Sequence, residues 1–147
     1  MSLLRTDAEL ALDEVTEQCK LAVHHYRLLQ HGDLDSQLRR LFADLEERHR
    51  AYILPLEQAA RCQGNLPSAP DADREALEHL LVRLKAALPG DERGRLLESC
   101  EKVEQELGQT IRAALEHPLP ESLLDLLRHM DQSVAAAHSS LAALHQS

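Results

Sequence analysis

Four stretches of this chain carry apolar residues at steps of three and four without a break. That spacing commits it to long amphipathic helices. In the first stretch the row is Leu12, Val15, Cys19, Ala22, Tyr26 and Leu29. In the second it is Leu38, Phe42, Leu45, His49, Tyr52, Leu56 and Ala59, with a histidine in the middle of the seam. The third runs through Leu97, Cys100, Glu104, Leu107, Ile111 and Ala114, with Leu96 and Val103 alongside, so a carboxylate stands in an apolar row. The fourth, Leu123, Leu127, Met130, Val134, Ala137, Leu141 and Leu144, has no polar interruption. Composition agrees: the apolar residues are mostly Leu and Ala, the aromatics are only Tyr26, Phe42 and Tyr52, and there is no Trp. Such a mixture favours helix over strand.

Punctuation residues set the expected boundaries. The first helix starts at Thr6 or Asp7, either of which can cap free N–H groups, and ends near His31-Gly32. The second follows Asp33-Leu34-Asp35 and runs to about Cys62, where Gln63-Gly64 stops it. Pro55 inside it removes a donor and crowds the carbonyl of Ala51, so a kink is expected. Residues Asn65 to Asp71, with two prolines, read as a linker, and a shorter helix is expected from about Asp71 to Leu88. After Pro89-Gly90, Asp91 can cap a helix that reaches about His117, and the last helix opens after Pro118-Leu119-Pro120 at Glu121. Four helices of about 25 residues, each about 35–40 Å long, fit an antiparallel four-helix bundle. The short extra helix then belongs to the crossover between the second and third. With 147 residues the chain is expected to form one domain spanning residues 1–147.

Charge narrows the partners. Acidic residues outnumber basic ones 25 to 16, a net charge of −9 that repels phosphate backbones and anionic lipid, so neither nucleic acid nor membrane is expected as a partner. Arg39 and Arg40 do not change this, because Asp35, Asp44, Glu46 and Glu47 surround them. No apolar run approaches the ~18 residues of a membrane span, and the first residues lack the apolar core of a signal peptide. Cys19, Cys62 and Cys100 are odd in number and widely spaced, which suits a reducing cytoplasm and no disulfide framework. The expectation is a soluble cytoplasmic protein.

The run Arg83-Leu-Lys-Ala-Ala-Leu-Pro-Gly-Asp91, followed by Leu97-Glu-Ser-Cys-Glu-Lys-Val-Glu104, Ala113-Ala-Leu115 and Leu119-Pro-Glu121, resembles the small bacterial ferritin-like family known as domain of unknown function 2383. Tyr26, Leu41-Phe42 and the terminal Ala137-His138 with Leu141 and Leu144 fit the same order. The resemblance covers nearly the whole chain. It implies a bacterial origin and a ferritin-like bundle, and brings no established activity.

A ferritin-like di-iron centre needs one Glu from each of two helices and a Glu-x-x-His from each of the other two. Glu46-Glu-Arg-His49 has that spacing, and Glu104 supplies a single carboxylate. The other half is missing: Ala135 stands three residues before His138, and the row of the first helix contains no Glu. The set Glu46, His49, Glu104 and His138 leaves room for one ion, iron, manganese or zinc, if the four converge. Each member also has a plainer account. His49 can hydrogen-bond a neighbouring carboxylate or tyrosine, Glu104 can lean to solvent with Val103 in its place, and His138 and Asp131 can be solvated or paired. His24 and His25, near the end of the first helix, suit its negative dipole as imidazolium.

No catalytic residues are assigned. The five glycines form no phosphate loop, and Cys19 and Cys100 lie on apolar rows where a thiol is a small core hydrophobe. Two functions remain: a non-catalytic structural or protein-interaction module with an incomplete di-metal site and no cofactor, or a metal-binding protein in metal handling or oxidative stress. A homodimer through the off-stripe residues Leu28, Ile53 and Leu115, or an unidentified protein partner, goes with the first.

Overall fold

The computed structural model describes residues 6–32, 34–62 and 92–146. Among them are four helices and no strand: α1 (Asp7–Leu29), α2 (Ser36–Cys62), α3 (Glu92–Leu115) and α4 (Glu121–Gln146). The expected linker, the short helix over Asp71–Leu88 and the cap at Asp91 lie outside the described residues.

The helix starts are closed locally. Thr6 Oγ1 accepts the Glu9 N–H at 3.1 Å while Glu9 Oε2 accepts the Thr6 N–H at 3.4 Å, a reciprocal box that satisfies two free donors of α1. Asp35 Oδ1 accepts the Leu38 N–H at 2.8 Å at the start of α2. At the start of α4 the Pro120 carbonyl takes the N–H groups of Leu123 and Leu124, both at 3.0 Å. α2 continues through Pro55 to Cys62.

Nearly every residue of the four rows is buried, and together they make one core. All six positions of the α1 row are buried, as are all six of α3, Glu104 included. The α2 row departs at two places, Tyr52 and Ala59. Beyond Leu56 the core takes Ala60, while Ala59 and Tyr52 are only half-buried. A strict seven-residue repeat drifts by about 20° per heptad on a straight helix, and a step of four from Leu56 brings the row back over the core.

α1 packs against α2 and α3, and α3 against α4. α2 and α4 meet at few points, among them an edge contact of Tyr52 with His129 at 5.9 Å. Polar side chains cross the seams at the surface. Glu46 on α2 accepts from Gln30 (2.8 Å) and Arg27 (3.4 Å) of α1, Arg112 meets Asp131 at 3.1 Å and Glu101 meets His145 at 2.8 Å between α3 and α4, and Arg93 approaches Asp35 at 3.8 Å. Exposed pairs of this kind contribute at most about 1 kcal/mol each, so the buried rows carry the fold. No helix among the described residues is long and apolar enough to cross a membrane.

Candidate functional site

Two polar residues occupy positions where the rows call for apolar ones, His49 on α2 and Glu104 on α3. Both are buried. They face each other: Nε2 of His49 lies 2.6 Å from Oε1 and 2.9 Å from Oε2 of Glu104. An Nε2–H donating into the fork of an ionised carboxylate engages both oxygens at once. Burial leaves no water to replace this bond, so each partner depends on the other.

Aromatic and thiol groups close around the pair. The ring of Tyr26 stacks on His49 at 5.9 Å and 26°, with Phe42 beyond it at 5.9 Å. The Cys19 thiol donates to the His49 carbonyl oxygen at 3.1 Å. Burial, and then the Glu104 charge, push the Cys19 thiol up to about 12, and the same two causes raise the Tyr26 phenol well above its ordinary value. Cys100 is likewise pushed up, first by burial, against a lowering hydrogen bond from Ser99. These groups are held protonated, the opposite of what a nucleophile needs.

One turn away, His25 of α1 reaches α3. Its Nε2 lies 3.5 Å from Ser99 Oγ and 3.7 Å from Cys100 Sγ. Ser99 donates its own proton to the Leu96 carbonyl at 2.8 Å, which leaves its oxygen free to accept from His25. Burial, helped by the neighbouring His24, lowers His25 to about 4. It is therefore a neutral core residue, not the imidazolium expected at the end of the first helix. The signal was present, since Ala22, His25 and Leu29 also follow three- and four-residue steps. Three buried polar atoms, Tyr26 Oη, His25 Nδ1 and His49 Nδ1, have no hydrogen-bond partner of good geometry among the described residues.

The four expected ligands are placed as follows. His49 and Glu104 meet. The expectation that Glu104 could lean to solvent fails, because it is buried and Val103 is only half-buried. Glu46, one turn before His49, turns to the α1 seam, where Gln30, Arg27 and Arg50 take its oxygens. His138 is half-buried on the wall of a groove of about 560 Å³ between α3 and α4, which Glu104, Gln105, Gly108, Arg112 and Ala135 also line. Gly108 gives the groove its width: a Cβ there would stand 3.1 Å from Arg112 Nη1 and 3.5 Å from Val134 Cγ1. Asp131 is paired with Arg112. No group of three or more His, Cys, Asp or Glu side chains among the described residues gathers around a point that would hold a metal. A ferritin-type di-metal centre does not fit this donor set, with Glu104 spent on His49 and Glu46 on α1.

Comparison of the chain with protein-family models, with curated proteins and with solved structures gives no match.

Proposed function

We propose that the chain is an antiparallel ferritin-like bundle, related to the bacterial family it resembles, in which a contact between side chains stands where a metal centre would be, and that it serves as a non-catalytic structural or protein-interaction module in the cytoplasm. The observation that carries the reading is the use of both Glu104 oxygens by one nitrogen of His49. The antiparallel arrangement is supported by the order of the seam contacts. Arg112 pairs with Asp131 and Glu101 with His145, so moving back along α3 means moving forward along α4. Gln30 meets Glu46 while Cys19 meets His49, the same opposition between α1 and α2. The short helix over Asp71–Leu88 completes the proposed architecture as the crossover. A partner or second copy would find Leu10 and Leu54, the large apolar side chains most exposed among the described residues, before Leu28, Ile53 or Leu115, which are half-buried.

The test is metal loading. Untagged protein incubated anaerobically with Fe(II), or with Mn(II) or Zn(II), and then desalted should retain less than about a tenth of an equivalent of metal per chain. Retention of a full equivalent that is lost in Glu104→Gln would overturn the proposal. That outcome would favour the second reading, a metal-binding protein of metal handling or oxidative stress. Its support is that Glu104, with His49 behind it, lines the same groove as His138. His138→Ala would then lower the retained metal as well.

A further inference from the structure

Arg40 on α2 has no carboxylate partner among the described residues, although Asp35, Asp44, Glu46 and Glu47 stand close to it in the sequence. Each of these acids is engaged or placed elsewhere. Asp35 accepts the Leu38 N–H at 2.8 Å and is approached by Arg93 at 3.8 Å. Asp44 pairs with Arg48 at 3.0 Å, and Glu46 is held in the α1 seam by Gln30 and Arg27. Glu47 stands exposed about two turns further along. Arg39 differs from its neighbour, because it reaches back to the Gly32 carbonyl at 3.4 Å, on the turn between α1 and α2. The basic pair that reads as one solvated face in the sequence is thus divided, with Arg40 left free.

Arg40 lines a groove of about 620 Å³ between the start of α2 and the end of α4, together with Ser36, Gln37, Leu41 and Asp44 of α2 and Leu144 of α4. Its size suits a small molecule. Leu41 and Leu144 are half-buried and packed against the core, so each offers its other side to the groove. Ser36 and Gln37 open α2 and bring a hydroxyl, an amide and the partial positive charge of a helix start. The Asp44 carboxylate is already paired with Arg48. An apolar strip flanked by an unpaired guanidinium and two neutral polar side chains matches a molecule with one anionic end and a hydrocarbon tail. The guanidinium can hold a carboxylate through two parallel N–H bonds. A doubly charged headgroup is disfavoured by Asp44 and by the net charge of −9. The tail gains by leaving water for the two leucines.

We propose that this groove binds a free medium-chain fatty acid as its anion, with the carboxylate on Arg40 beside Ser36 and Gln37 and the hydrocarbon chain laid over Leu41 and Leu144. The groove shares no residue with the contact between His49 and Glu104, so the proposal goes beyond the module reading and does not depend on it.

The test is a titration of the full ¹⁵N-labelled chain with octanoate and decanoate below their micelle-forming concentrations, read by amide chemical shifts. Saturable shifts are expected in the first two turns of α2 and the last turn of α4, with a dissociation constant below about 1 mM for decanoate. Decanoate should bind several-fold more tightly than octanoate, because two further methylenes leave water. Octan-1-ol and octylamine, which carry the same tail without the negative charge, should bind about tenfold more weakly than octanoate. Arg40→Gln should weaken octanoate to the level of octan-1-ol, while Arg39→Gln should leave it unchanged. Leu144→Trp, which fills the groove, should abolish binding of both acids. Octylamine binding as tightly as octanoate, or an Arg40→Gln chain with unaltered affinity, would overturn the proposal. So would the lack of saturable binding by the unaltered chain, or shifts centred on Leu107 and Met130 in the core. Vesicles of anionic phospholipid that bind the chain while free decanoate does not would assign the groove to a membrane surface and overturn it as well.

Discussion

At the scale of single residues, the core is held to one arrangement by a few polar groups that have nowhere else to go. His49 and Glu104 are buried against each other, with the Tyr26 ring stacked on His49 and its phenol under the influence of Glu104. Removing one side of such a pair costs about 3–5 kcal/mol, while replacing both with apolar groups of similar volume is close to neutral. His49→Leu and Glu104→Met should each lower the urea midpoint sharply, and the double variant should regain most of the loss. Equal and additive losses in the two singles and the double would show that the pair does not act as a unit. His25 makes a pH dependence of definite sign. Its folded value of about 4 lies below the ordinary 6.5, so between those values the unfolded chain holds a proton that the folded one refuses. Stability is therefore intact above about pH 6.5 and declines as the pH falls towards 4, by about 3 kcal/mol from this group. Urea titrations at pH 7 and pH 4.5 should show a smaller difference for His25→Leu than for the unaltered chain.

At the scale of elements, the helices were legible and the meeting of their side chains was not. The three-and-four spacing found the four described helices, and the capping and stopping residues set their ends to within two residues wherever an end was expected, apart from the choice of Ala60 over Ala59 in the core row of α2. That spacing records the angle of a residue around its own axis. It contains no information about the relative height of two helices, and height decides whether His49 finds Glu104 or a methyl group. The same limit explains Glu46. Its place one turn from His49 was correct, but Arg27 and Gln30 of α1, which draw its carboxylate to the seam, belong to another element. Gly108 offers a test at this scale. It lies inside α3, where glycine costs about 0.5–1 kcal/mol relative to alanine, and the nearest obstacle to a Cβ is the flexible end of Arg112. Gly108→Ala should raise the thermal midpoint by a few degrees while displacing the Arg112–Asp131 pair and narrowing the groove. A lower midpoint would mean that Val134, not Arg112, is what the small residue accommodates.

At the scale of the whole molecule, α1 is the shared wall of two helical pairs, packed on α2 along one side and on α3 along the other. The contacts it makes differ greatly in the length of chain they enclose. Those with α2 span 16 positions at Gln30–Glu46 and 30 at Cys19–His49, whereas His25 and Ser99 are 74 positions apart. Closing a long loop costs entropy before any burial offsets it, so the two pairs should gain structure early and their joining should limit the rate. Shortening side chains at the joint, as in Ala22→Gly or Cys100→Ala, should slow refolding. Leu127→Ala, inside the second pair, should slow it as well if that pair is formed at the barrier. Leu10→Ala, on the outer face, should leave the refolding arm of the chevron unchanged. The clock of assembly would then be set by how long a diffusing pair takes to find the side of α1 that carries His25.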